Sequence, residues 1–86
     1  MAKTTKNIWL IGGEDCALCD DANTLLDLSI AANPDIPVEI TYVNVKSTTI
    51  LFHHYGARIP VILNRDSDVA LYWPFELPQV QEFIRS

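Results

Sequence analysis

Eighty-six residues, 49% of them hydrophobic and 20% charged, make one folded domain and leave no room for a second core or for a disordered chain. The formal net charge is −5, and the six Lys and Arg side chains are scattered, so nucleic acid is not an expected partner. No apolar run reaches bilayer length and the first residues lead into no signal-peptide cleavage pattern, so a cytoplasmic chain without membrane contact is expected.

Residues 1–6 are expected to form a flexible terminus, and residues 7–86 the domain. Ile8-Trp9-Leu10-Ile11 is an unbroken apolar run, the pattern of a central strand covered on both faces, and Gly12-Gly13 follows it. Asp15 is the expected cap of a helix over 17–32, with its inward stripe at Leu18, Ala22, Leu25, Leu26, Ser29 and Ile30, and Asn33-Pro34-Asp35 stops it. Val38 to Val45 is rich in β-branched residues and predicts the second strand. Ser47 or Thr48 caps a short helix through Tyr55, with Gly56 expected in the left-handed position that ends it. Pro60 introduces Val61-Ile62-Leu63, and a polar turn over 64–68 leads into Val69 to Trp73. So short a connection requires a hairpin. Pro74 ends that strand, and Leu77 to Ile84 is the closing helix with Leu77, Val80, Phe83 and Ile84 on one side. The order is βαβαββα, an α/β domain with a mixed four-stranded sheet and helices on both faces.

The chemistry-bearing feature is Cys16-Ala17-Leu18-Cys19 at the junction of the first strand and first helix. A sulfur at the first helical turn meets unpaired N–H groups and the positive end of the helix dipole, which favour thiolate over thiol. A second sulfur three residues on shares that face and can attack a mixed disulfide formed by the first. Zinc sites use the same spacing, but a structural site needs four ligands. Here the other sulfur or imidazole donors are His53 and His54, adjacent on a short helix and pointing apart. A metal or cluster shared between subunits and an inert pair stay open as alternatives. In the dithiol reading Cys16, accessible at the helix start, is the nucleophile and Cys19, one turn in and nearly buried, is the resolving thiol, and no cofactor is required. Glu14, Asp15, Asp20 and Asp21 bracket the pair, so the rim is acidic and disfavours anionic thiols.

A second feature is Ile59-Pro60. A proline opening an interior strand after the tight approach Gly56-Ala57-Arg58-Ile59 raises the odds of a cis bond. Arg58 is the one cation expected near the acidic rim, either paired with Asp15 or receiving a substrate carboxylate. Trp73 either lines a peptide groove or covers core beside Pro74, and Tyr55 is expected in the core.

With these residues in hand the chain resembles the thioredoxin superfamily, and within it the small bacterial glutaredoxin-like proteins. Strand–Cys16-Ala17-Leu18-Cys19–helix, Tyr55-Gly56-Ala57-Arg58-Ile59-Pro60-Val61-Ile62 and Leu71-Tyr72-Trp73-Pro74-Phe75 carry the likeness, which spans about Ile8 to Ile84. The resemblance implies a cis Pro60 facing Cys16, with the backbone of Ile59 holding a bound thiol peptide strand-fashion. Ala17, Leu18, Arg58, Ile59, Pro60 and Trp73 are then the substrate-binding candidates beside the catalytic Cys16 and Cys19. The chain departs from glutathione-using relatives: Ala17-Leu18 replaces the common Pro-Tyr pair, and the Gly-Gly and Asp after the hairpin are missing.

The resulting expectation is a monomeric thiol–disulfide oxidoreductase acting on disulfide-bearing proteins or low-molecular-weight thiols, recharged by a cellular reductant that the sequence does not name. The alternatives are a non-catalytic module holding a metal or partner through the cysteine pair, and a redox-silent contact domain. Only the first requires a reversible dithiol couple.

Overall fold

A computed structural model describes residues 5–85. The chain runs β1 (Lys6–Gly12), α1 (Ala17–Ala32), β2 (Val38–Asn44), a 3-10 turn (Val45–Ser47), α2 (Thr49–Tyr55), β3 (Val61–Asn64), β4 (Val69–Tyr72) and α3 (Leu77–Arg85). The strands form one sheet in the order β2-β1-β3-β4. β1 pairs parallel with β2, Ile8 opposite Ile40, and antiparallel with β3, Leu10 opposite Ile62. β3 and β4 form the hairpin, Val61 opposite Tyr72. This is the thioredoxin-like α/β arrangement, with helices on both faces of a mixed sheet.

Alternation along β1 divides the core into two layers. Ile8 and Leu10 lie with Ala22 and Leu26 of α1 and with Val80, Phe83 and Ile84 of α3. Trp9 and Ile11 lie on the opposite face with Val45, Val61 and Leu63, under Leu51 and Tyr55 of α2. All four residues of β3 are buried, as an interior strand between two helical layers requires. On the α2 face the Arg65 guanidinium stacks 4.2 Å from the Trp9 ring centroid.

Several expectations change at the edges of elements. Lys6 was expected in the flexible terminus and instead begins β1, opposite Val38, with its N–H donating to Pro37 O at 2.9 Å. Thr5 is exposed and precedes the strand, and residues 1–4 of that predicted terminus lie outside the described residues. Val45 leaves β2 for the 3-10 turn, which Asn44 caps through its side chain. The last strand stops at Tyr72 rather than Trp73, and α3 runs one residue further than predicted, to Arg85. The packed stripe of α1 begins at Ala22, so Leu18 is 46% exposed instead of joining the core.

Gly56 is not left-handed. Its φ is −55°, in the right-handed helical region, and its N–H donates to Phe52 O at 2.9 Å. Glycine is required there by space: a Cβ would stand 2.5 Å from the Phe52 carbonyl oxygen.

Candidate redox site

The dithiol sits where β1 ends and α1 begins. Gly12 and Gly13 carry the chain out of the sheet, and Asp15, at φ 54°, turns it through the left-handed region that Asp tolerates better than most residues. That conformation disqualifies Asp15 as the cap, because a cap residue has extended backbone angles. Cys16 takes the position instead, at φ −106° and ψ 96°. Its Sγ accepts the Cys19 N–H at 3.1 Å, in the place where Ser or Asp oxygen commonly stands. Its carbonyl accepts from Cys19 N at 3.2 Å and Asp20 N at 3.4 Å.

Cys16 and Cys19 are joined as a disulfide with their Cα atoms 5.2 Å apart. Both residues are half-buried. Cys19 is therefore more open than the nearly buried resolving thiol expected from its place one turn into the helix. The reason is a cleft of about 370 Å³ between β1, α1 and β2, which Cys19 lines together with Gly12, Asn23, Tyr42 and Val43. A hydrogen bond from Tyr42 Oη to Asn23 Oδ1, 2.6 Å, ties two of these lining residues together. Sequence reasoning gave this cleft no part. Its lining comes from three segments, and no local pattern announces it.

Ala17 and Leu18, between the cysteines, are exposed, as are Glu14, Asp15, Asp20 and Asp21. The Ile59–Pro60 bond is cis, and so is Trp73–Pro74, which the sequence analysis did not anticipate. The two prolines lie at facing ends of the hairpin, where Trp73 N–H donates to Pro60 O at 3.2 Å. The loop before Pro60 reaches the dithiol loop through Ile59, whose Cδ1 lies 3.1 Å from where a Cβ on Gly13 would stand.

Arg58 and Trp73, each with two expected roles, have these partners in the structure. Arg58 does not pair with Asp15: its guanidinium lies 5.1 Å over the Tyr72 ring, on the aromatic face of the neighbouring edge strand. Trp73 packs edge-to-face on Phe75, centroids 5.0 Å apart, against the α1–α3 layer. It covers core, the blander of its two expected roles. His53 and His54 are exposed at the end of α2. Among the described residues no group of three or more His, Cys, Asp or Glu side chains is placed to hold a metal ion. Nor is any helix among them long and apolar enough to cross a membrane.

A thioredoxin-like sheet with a Cys-x-x-Cys pair at the N-cap of its first helix defines a domain built for thiol–disulfide chemistry. The chain belongs to the glutaredoxin-like domain family (DUF836), whose model matches residues 7–85. It is similar to the structural-genomics target protein XcR50 from X. campestris. Against the X-ray structure of that protein the TM-score is 0.74 at 27% identity, over 91% of this chain and 95% of that one. Against its solution structure the TM-score is 0.73 at the same identity, over 91% of each chain. No curated protein matches.

Proposed function

We propose that this protein is a small thiol–disulfide oxidoreductase in which Cys16 attacks and Cys19 resolves. The observation that carries the assignment of roles is the hydrogen bond from Cys19 N–H to Cys16 Sγ, 3.1 Å, at the start of α1. Hydrogen bonding to the charged form and the helix terminus both favour a thiolate at Cys16 once the pair is reduced. Cys16 thiolate attacks one sulfur of a substrate disulfide, the S–S bond breaks, and the other substrate thiolate leaves. Cys19 thiolate then attacks Cys16 Sγ, expelling the second substrate thiolate and forming the Cys16–Cys19 disulfide. The substrate has gained two electrons, and its two thiolates take up two protons in place of those that the Cys16 and Cys19 thiols gave up on ionising. A cellular thiol reductant returns the protein to the dithiol by the same exchange in reverse.

In this reading the substrate chain, a disulfide-bearing protein or a small thiol, lies along the cis-proline loop. The backbone of Ile59 holds it, Pro60 sets the approach, and the exposed Ala17 and Leu18 give it an apolar contact between the cysteines. Arg58 receives a substrate carboxylate in this reading, which its exposed position on the aromatic ring of Tyr72 supports. The reducing cytoplasm is the compartment in which such a pair turns over.

Separate Ser variants test the roles. Cys16→Ser is expected to abolish disulfide reduction and the alkylation seen at mildly acidic pH. Cys19→Ser is expected to keep that alkylation and to accumulate mixed disulfides on Cys16, read by intact-protein mass. Equal loss of the first step in both variants would contradict the assignment.

A further inference from the structure

Gly12 is the last residue of β1, opposite Asn44 in β2. No glycine among the described residues has a positive φ, so backbone conformation does not demand glycine at this position. Space does. A Cβ on Gly12 would stand 2.8 Å from Cys19 Sγ and 3.4 Å from Cys19 Cβ, whereas non-bonded heavy atoms settle about 3.5–4.0 Å apart. Gly13, one residue on, meets a different neighbour: its Cβ would stand 3.1 Å from Ile59 Cδ1, the far end of a flexible side chain.

We propose that Gly12 is a positioning residue for the redox couple, whose missing side chain leaves the space that Cys19 Sγ occupies when bonded to Cys16. This rests on the dithiol chemistry proposed above. In the oxidised protein Cys19 Sγ is held by its bond to Cys16 and cannot turn away from position 12. In the dithiol that bond is gone, and the Cys19 side chain is free to move to another staggered well about its Cα–Cβ bond. A methyl group at position 12 therefore weighs against the disulfide and only weakly against the dithiol. The affected equilibrium is protein disulfide plus two thiols going to protein dithiol plus one small disulfide. Two thiol protons and two electrons pass to the protein, and a side chain at position 12 shifts the balance toward the dithiol. Closure of the protein disulfide, the step that releases reduced substrate, slows for the same reason, because Cys19 Sγ must enter crowded space to reach Cys16.

The experiment equilibrates wild type, Gly12→Ala and Gly13→Ala with graded ratios of reduced and oxidised dithiothreitol and reads the oxidised fraction by alkylation and mass. Gly12→Ala is expected to need a roughly tenfold more oxidising ratio to reach half oxidation, which is about 30 mV for a two-electron couple. Gly13→Ala is expected to stay within about twofold of wild type, because the clash it makes involves Ile59 and neither cysteine. In parallel, the mixed disulfide formed with bis(2-hydroxyethyl) disulfide is expected to live longer on Gly12→Ala. A fall in the thermal stability of the reduced Gly12→Ala protein with no change in its redox equilibrium would overturn the proposal, since that is the mark of a purely structural glycine. If Gly12→Ala folds only when reduced, the double variant Gly12→Ala/Cys19→Ala decides, whereas failure to fold in the reduced state overturns the proposal. Stability equal to that of Cys19→Ala alone supports the contact with sulfur, and no rescue overturns it. A wild type that forms no reversible disulfide would remove the dithiol chemistry itself, a result distinct from a normal wild-type couple that Gly12→Ala leaves unmoved.

Discussion

Asp66 shows how much one exposed carboxylate can organise. Its Oδ2 accepts the Asn7 backbone N–H at 3.1 Å and its Oδ1 accepts from Asn7 Nδ2 at 3.3 Å, joining the β3–β4 turn to the start of β1. Asn64 Oδ1 holds the same turn from within, accepting from Asp66 N at 2.9 Å and Ser67 N at 3.3 Å. The Asp66 carboxyl is held below its ordinary value of 3.8, chiefly by the backbone hydrogen bond from Asn7, then by the Asn7 side chain, with a smaller contribution from Lys6. A carboxyl whose folded value is depressed binds fewer protons folded than unfolded. Its contribution is thus complete above the unfolded value and is lost as pH falls through the folded one. Asp66→Ala is expected to lower the urea midpoint at neutral pH, and its gap from wild type should close as pH drops below about 4. A gap that persists at pH 2 would mean the carboxylate charge is irrelevant.

Among the elements, α2 is the least secured. It has seven residues and none is fully buried; only Leu51 and Tyr55 are partly covered against the sheet. A helix this short does not stand on propensity, so its ends matter. Thr48 Oγ1 accepts the Leu51 N–H at 3.0 Å, the cap that the Ser47–Thr48 pair predicted. Thr48→Ala is expected to cost about 1 kcal/mol, read by urea unfolding, with amide exchange in 49–55 accelerating more than elsewhere. Uniform acceleration across the chain would show α2 to be tied into the global unit. The other end of α2 was misread because Gly after a helix commonly signals a left-handed cap, whereas here it signals the close approach of the Phe52 carbonyl. By contrast α1 was legible at its C-terminal end: Asn33 stops it, with its side chain donating to Ser29 O at 2.8 Å.

Across the whole molecule the charge is −5, and the carboxylates of Glu14, Asp15, Asp20 and Asp21 lie exposed around the dithiol. Glutathione is an anion, so it approaches against this field. We expect weak glutathione-coupled turnover of a small mixed disulfide, improving with added salt as screening weakens the repulsion. Arg58, engaged on Tyr72 and not on Asp15, offsets part of the repulsion. Efficient turnover saturating at cellular glutathione, or a decline with salt, would sink this expectation.

Local chemistry determined what the sequence alone could show. The apolar run at Ile8 to Ile11, the helical period after Cys19 and the hairpin forced by a short polar turn are set by neighbours in the chain, and so were the strand order of types and the place of the cysteine pair. Positions that depend on segments distant in sequence were decided only by the tertiary structure. Cys16 displaced Asp15 as cap because the exit from β1 turns Asp15 left-handed. Arg58 found Tyr72 because the sheet order sets β4 at the edge beside β3, and Cys19 opened to a cleft because β2 lies on the other side of β1. Gly12 reads in sequence as a simple end of strand. That it faces the Cys19 sulfur is a distance across the junction of strand and helix, and a spacing of seven residues does not contain it.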